Sequence, residues 1–381
     1  MRRTVCALFA AALFFLGLFP AAQTGAEEKP LPEGGGICRC LAAGMDRFMT
    51  ETGTAPCSAN NAAIMTALFS DFLPEGTRVT RRVNGPGSRE EMHGLIREVF
   101  RDAGEADTSF LYISTHGVLL EEGGTTRPAL VLSDGLREET LSPEELKAWM
   151  DEIPGKKVLI LDCCHAEAVT KAFTGPEWRT LASCRAEEDS YFWAAGEDTG
   201  AGYFTVALEN ALRASPAERL DPDGSGSVSL KELAGRIREI YQVSTAVFSP
   251  EGEETPLLTL PEKRKGSERL QDFVFETPEI TETELTMKFR FRTDAAVKLE
   301  YRLIPMGRNG WEFDRALKIT DRERTGQVRG MLSPGTKERT VRVSRQRLGD
   351  TGKALLQVIS WRGLYGQIPV PEATFAVNSN P

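Results

Sequence analysis

Lys157-Val158-Leu159-Ile160-Leu161-Asp162-Cys163-Cys164-His165 sets an unbroken apolar run against an acid, two thiols and an imidazole. A short run with no polar alternation is a strand covered on both faces, as in a mostly parallel sheet between helical layers. A second run, residues 109–115 with Phe110-Leu111-Tyr112-Ile113 at its centre, ends on His116-Gly117. Weaker strand patterns are expected at 37–45, 78–83 and 180–183. Residues 60–72 and 89–103 have helical periodicity. Ser142-Pro143-Glu144-Glu145 opens another helix with a capping serine, a first-turn proline and a capping-box acid. Strands alternating with helices make the fold class α/β.

From residue 276 the texture changes. Leu285, Met287, Phe289 and Phe291 alternate with polar residues, as do Val297, Leu299, Tyr301 and Leu303, and further strand-like runs lie at 341–343 and 355–359. The pattern predicts a smaller all-β domain over 276–381, an immunoglobulin-like sandwich. Lys288, Arg290 and Arg292 fall on one face of a strand, either a solvated face or a dock for the first domain. At the other end, Arg2 and Arg3 precede a mostly apolar segment, 5–19, and then Pro20-Ala21-Ala22, the parts of a secretory signal spanning 1–22. Residues 23–36 read as a linker rich in Pro, Gly and Glu. The apolar segment is shorter than the roughly 18 residues of a spanning helix, so stable membrane insertion is not expected after the signal is removed. The expected location is secreted or in the cell envelope.

At 381 residues, with 41% hydrophobic and 27% charged side chains, wholesale disorder and a multi-pass membrane protein are excluded. The net charge is −9, with the acidic excess before residue 276, which argues against a nucleic-acid partner. Cys6 leaves with the signal. Cys38, Cys40, Cys57, Cys163, Cys164 and Cys184 remain, and the one local disulfide considered joins Cys38 or Cys40 to Cys57. No oligomeric state is implied, and no spacing of ligands fits zinc or a nucleotide cofactor.

The histidines are His93, His116 and His165. If the two apolar strands are parallel, His116 and Cys164 emerge at one carboxyl edge, where α/β sheets place their ligands. An imidazole beside a thiol there makes a nucleophile. Cys163 is the rival thiol, but strand alternation turns it to the opposite face. His165 is the rival imidazole and reads as structural. These motifs resemble the signature of the caspase-like cysteine peptidases, metacaspases and related bacterial enzymes in particular, in which an apolar strand ends in His-Gly and another in Asp-x-Cys-His. His116 and Cys164 are 48 residues apart, close to the caspase spacing of about 50. The resemblance runs over 37–261 and includes 181–190 and Gly202-Tyr203-Phe204-Thr205, giving an expected peptidase domain of 37–265.

The resemblance implies Cys164 as nucleophile on a peptide carbonyl, His116 as acid to the leaving amine, and the N–H groups of Gly117 and Cys164 as oxyanion hole. Glycine at 117 would leave its amide unobstructed. Asp162, Asn61 and Ser183 are the implied substrate-binding residues, with Arg or Lys as the preferred P1 side chain and a peptide or protein as substrate. Two departures stand out: Asn61 where an aspartate is frequent, and Ala166-Glu167 where the family usually continues Cys-His with Ser-Gly. The second motivates an alternative, a catalytically silent caspase-fold protein that binds peptides or partners. A thioester resolved by an amine gives another, a transpeptidase. With a basic P1, self-cleavage at Lys263-Arg264-Lys265, Arg179 or Arg185 is a further expectation.

Residues 221–232 fit a twelve-residue EF-hand loop. Asp221, Asp223, Ser225, Ser227, Ser229 and Glu232 fill positions 1, 3, 5, 7, 9 and 12, Gly226 fills position 6 and Val228 position 8. Helices are expected at 204–214 and 230–241, with Pro216 interrupting the entering side. Three carboxylates predict structural calcium bound weakly, at about 10⁻⁴ to 10⁻³ M.

Overall fold

The computed structural model describes residues 36–49, 57–196, 199–261, 271–276, 278–293, 296, 298–307, 310–312, 317–319, 332–344, 353–361 and 367–376. The expected signal, residues 23–35 of the linker, Lys263-Arg264-Lys265 and Val297 lie outside them. Among the described residues no helix is long and apolar enough to cross a membrane.

In chain order the first part runs β1 (Cys38–Gly44), α1 (Ser58–Phe72), β2 (Arg78–Val83), α2 (Arg89–Phe100), β3 (Thr108–Ser114), β4 (Gly117–Glu122), β5 (Thr125–Ser133), β6 (Glu138–Leu141), α3 (Pro143–Asp151), β7 (Lys156–Asp162), α4 (Ala166–Thr170) and β8 (Trp178–Ala182). It continues with β9 (Phe192–Gly196), β10 (Thr199–Gly202), α5 (Tyr203–Ala214), α6 (Ala217–Leu220), β11 (Ser227–Ser229), α7 (Leu230–Ile240), β12 (Val247–Ser249) and β13 (Pro256–Thr259). Six strands form the central sheet in the order β12-β8-β7-β3-β1-β2. Its neighbours are parallel except for the β12–β8 pair.

The unbroken apolar runs have a direct cause. Phe110, Tyr112, Val158 and Ile160 point into a core shared with α1, α5 and α7, while Leu111, Ile113, Leu159 and Leu161 point into a second core under α2, α3 and α4. Both faces of β3 and β7 are therefore dry. The capping box predicted at Ser142 and Glu145 opens α3. Helix α2 ends at Phe100, short of the expected 103. The three-stranded sheet β4-β5-β6 was not anticipated, because most of β4 is exposed and carries no apolar alternation to read.

The C-terminal part consists of β14 (Gln271–Phe275), β15 (Glu279–Ile280), β16 (Glu284–Thr293), β17 (Lys298–Gly307), β18 (Gly310–Trp311), β19 (Leu317–Ile319), β20 (Gly335–Ser344), β21 (Lys353–Trp361) and β22 (Gln367–Ala376). Its pairings are antiparallel: β14-β16-β15 with β20 on β16, and β18-β17-β21-β22 with β19 on β17. Phe273, Phe289 and Phe291 from one group meet Tyr301, Leu303 and Val358 from the other in one core. The contact with the α/β part combines apolar packing with buried hydrogen bonds, among them Gln357 Nε2 to Tyr203 Oη at 3.2 Å. Trp311, Ile304 and Leu355 join the core beside α5 and α7, and Trp311 Nε1 donates to the Val243 carbonyl at 2.8 Å. The basic strip is not the dock. Lys288 pairs with Glu279, Arg292 with Asp272, and Arg290 lies opposite Glu338 on β20, so the strip is a solvated face with its own acids. The disulfide considered from Cys38 or Cys40 to Cys57 is not formed: all six described cysteines are free.

Candidate active site

Parallel strands β3 and β7 are in register, with Ser114 opposite Asp162, so the residues that follow leave the sheet at one edge. There His116 and Cys164 line one cleft of about 120 Å³ with Asn61, Asp162, Tyr191 and Gly202. The half-buried Phe48 ring packs on the His116 ring, centroids 4.4 Å apart. Cys163 is turned into the core below, as alternation predicts. His165 adopts a left-handed conformation, φ 57°, and its Nδ1 pairs with the Ala186 carbonyl at 2.9 Å. It shapes the turn and lies outside the set of cleft-lining residues.

Glycine at 117 has a stronger reason than an unobstructed amide. A Cβ built there would stand 1.9 Å from the Cys164 carbonyl oxygen, so any other residue would push the strand away from the turn at Cys164. Gly202 is equally constrained, since a Cβ would lie 2.3 Å from Asp162 Oδ2.

Asp162 is buried at the floor of the cleft. Ser190 Oγ donates to its Oδ1 at 2.8 Å, and Thr205 donates to Oδ2 through Oγ1 at 2.6 Å and N–H at 3.3 Å, from the first turn of α5. Burial nonetheless raises its carboxyl above the usual range, because the donors are neutral. Asn61 does not act as a second pocket acid. It is a bridge: its Oδ1 accepts from Gly202 N–H at 2.7 Å and its Nδ2 donates to Ser114 Oγ at 3.0 Å.

The expectation for Ser183 is corrected. It is fully buried, it is absent from the cleft lining, and its hydroxyl bonds to the backbone of Cys163. Ser190 and Thr205, which satisfy Asp162, had no role in the sequence reading. Each lies in a stretch noted only as similar, and nothing local tells a buried hydroxyl donor from a surface one.

The Cys164 thiol is pushed up to about 11, chiefly by burial, with the Asp189 carboxylate adding to the rise and the Ser190 carbonyl as hydrogen-bond partner at 3.7 Å. At neutral pH that value favours the protonated thiol. The altered Ala166-Glu167 pair faces away from this chemistry. Ala166 is buried in the core under α4, and Glu167 accepts from the Ala186 N–H at 2.9 Å, tying α4 to the loop after β8.

In the loop of residues 221–232, carboxylate oxygens of Asp221, Asp223 and Glu232 all lie within 4.8 Å of one another. Asp221 accepts from the N–H groups of Ser225 at 3.0 Å and Gly226 at 2.9 Å, and Ser225 and Ser227 hydroxyls are 2.9 Å apart. Gly226 has φ 74°, the sharp turn expected at position 6. The entering side is broken at Pro216 into α5 and α6, as read from the sequence. Strand β11 pairs with β13, Val228 opposite Leu258, which fixes the loop from the side. Converging oxygens of this kind fit a hard cation such as calcium.

A sequence model described as the caspase domain matches residues 38–250. A crystal structure of a Geobacter sulfurreducens protein is similar at 16% identity and TM-score 0.43, over 59% of this chain and 100% of that one. The Drosophila initiator caspase Dronc is similar at 13% identity and TM-score 0.37, over 57% of this chain and 80% of that one. No curated protein matches the sequence.

Proposed function

The chain belongs to the caspase-domain family of cysteine peptidases, and from that footing we propose that it is an exported endopeptidase that cuts after Arg or Lys through Cys164 and His116. The carrying observation is that His116 and Cys164, brought together by the register of β3 and β7, line one cleft whose floor is Asp162. The Cys164 sulfur bonds to the scissile carbonyl carbon as its proton passes to His116, and the carbonyl π pair moves onto oxygen. The C–N bond then breaks, His116 returns the proton to the amine, and water resolves the thioester to a carboxylic acid and free Cys164. The N–H groups of Gly117 and Cys164 stabilise the oxyanion.

A basic P1 is favoured because among the described residues the hydrogen bonds to Asp162 come only from Ser190, Thr205 and Asn61, none of them cationic. An entering guanidinium or ammonium would supply the missing counter-charge to a desolvated carboxylate. The exported location is supported by the signal read at 1–22. Calcium at 221–232 is proposed as structural; Asp221, Asp223, Ser225, Ser227, Ser229 and Glu232 would hold it, and it would supply positive charge between the three carboxylates. Ala166 and Glu167, the departure that motivated the silent alternative, are not among the residues lining the cleft.

The test is cleavage of a P1-varied fluorogenic peptide set by the mature protein in calcium, with Cys164→Ala as control. Cleavage after Arg or Lys that disappears in the variant is expected. Well-folded wild type that cuts no peptide would sink the proposal.

A further inference from the structure

We propose that Ser183 is a positioning residue that locks the Cys163–Cys164 peptide so that the Cys164 N–H is held as an oxyanion donor, an inference that rests on the Cys164 mechanism above. The Ser183 hydroxyl makes a two-way bridge to one residue, accepting from Cys163 N–H at 3.2 Å and donating to the Cys163 carbonyl at 3.0 Å. Cys184 Sγ also lies 3.2 Å from that carbonyl, its single S–H shared with the Glu188 carbonyl at the same distance. Because a trans peptide is planar, the Cys163 oxygen and the Cys164 N–H point in opposite directions. Holding the oxygen towards the β8 side therefore aims the N–H towards the β3 side, where Gly117 follows β3.

A flip of this single peptide would bury the amide against Ser183 and turn a carbonyl towards the developing negative charge. Ser183 is itself fixed from two sides. Its N–H donates to the Leu161 carbonyl at 3.0 Å, and its carbonyl accepts from Tyr241 Oη at 2.8 Å, from the residue that caps α7. The serine therefore cannot follow the turn if the turn relaxes. All of these partners are buried, so water offers no substitute bond.

The experiment compares two reagents on mature wild type, Ser183→Ala and Ser183→Thr. A peptide aldehyde with Arg at P1 adds Cys164 sulfur to its carbonyl carbon, the thiol proton ending on the new hemithioacetal oxygen, and so uses the oxyanion hole. Iodoacetamide alkylates the same sulfur by displacing iodide and makes no oxyanion. In Ser183→Ala, aldehyde affinity and kcat should fall by about tenfold or more, with KM and the alkylation rate within about twofold, and Ser183→Thr should restore both. Unchanged aldehyde affinity, or a parallel fall in alkylation, would overturn the proposal. If Ser183→Ala does not fold, Cys184→Ala takes its place, with a loss of about threefold in aldehyde affinity alone and the same overturning outcomes. Wild type whose Cys164 reacts with neither reagent would overturn the Cys164 mechanism and this inference together, a failure visible before any variant is made.

Discussion

The cleft floor and the loop of residues 221–232 both gather carboxylate oxygens, by opposite means. Asp162 is buried, reached through strand register and satisfied by hydroxyls from the loop before β9 and from the first turn of α5, and its carboxyl is raised by desolvation. Asp223 is exposed, satisfied by the Ser225 N–H two residues away, and its carboxyl is lowered. One is a buried acid whose hydrogen-bond donors are all neutral. The other is a contiguous turn whose backbone already favours the ionised state, suited to holding an ion.

The contrast is broken most severely by Asp162→Asn. Cleavage after Arg or Lys should fall by on the order of a hundredfold in kcat/KM, while the melting temperature at neutral pH changes little. The sign follows from the raised folded pKa: the stability linked to Asp162 is present below its unfolded value near 3.9 and is lost as pH rises through the folded value, so a neutral side chain gives up nothing at pH 7. A melting temperature that drops sharply at pH 7 with P1 preference retained would make Asp162 a purely structural acid.

On the other side, Asp221→Asn with Glu232→Gln should weaken calcium binding at least tenfold by titration calorimetry, leaving P1 preference untouched. Equal binding by the wild type and this variant would remove the loop from the comparison. Asp223 has the reverse pH sign. Its lowered pKa contributes stability above its unfolded value that disappears as pH falls through the folded one.

A smaller effect is expected at Asp189. With the Cys164 thiol at about 11, the iodoacetamide rate of unliganded protein should climb about tenfold per pH unit across the neutral range. Asp189→Asn removes a like charge and should raise the neutral-pH rate by about two- to threefold. A plateau near pH 7 in the wild type would mean a resting thiolate instead. Smallest of all, Ala166→Ser should leave kcat/KM within about twofold, because that side chain is buried in the core away from the cleft. A large gain in cleavage would show that the departure from the family's usual motif matters after all.

The legible parts of this molecule are those in which neighbours in sequence do the work. The apolar runs of β3 and β7, the capping box at Ser142 and Glu145, the turn at Gly226 and the His-Gly and Asp-x-Cys-His motifs each carry their signal within a dozen residues. Alternation also sufficed to pack Cys163 into the core, though it still borders the cleft that the more exposed Cys164 lines. The sheet β4-β5-β6 was not legible: β4 is mostly exposed and carries no apolar period, although the second half of β5 is buried in the core.

Sequence by itself determined the α/β class and the family resemblance, and it put His116 and Cys164 after neighbouring strands and gathered the acids of residues 221–232 in one turn, since each depends on local periodicity or fixed spacing. Only the tertiary structure decided that the Ser183 hydroxyl bonds to the Cys163 backbone, that Asn61 bridges Gly202 and Ser114, that Ser190 and Thr205 satisfy Asp162, and that Gly117 makes room for the Cys164 carbonyl. These roles are set by contacts between residues 20 to 141 positions apart. A side chain's chemistry is written in its identity, but its partner is chosen by packing.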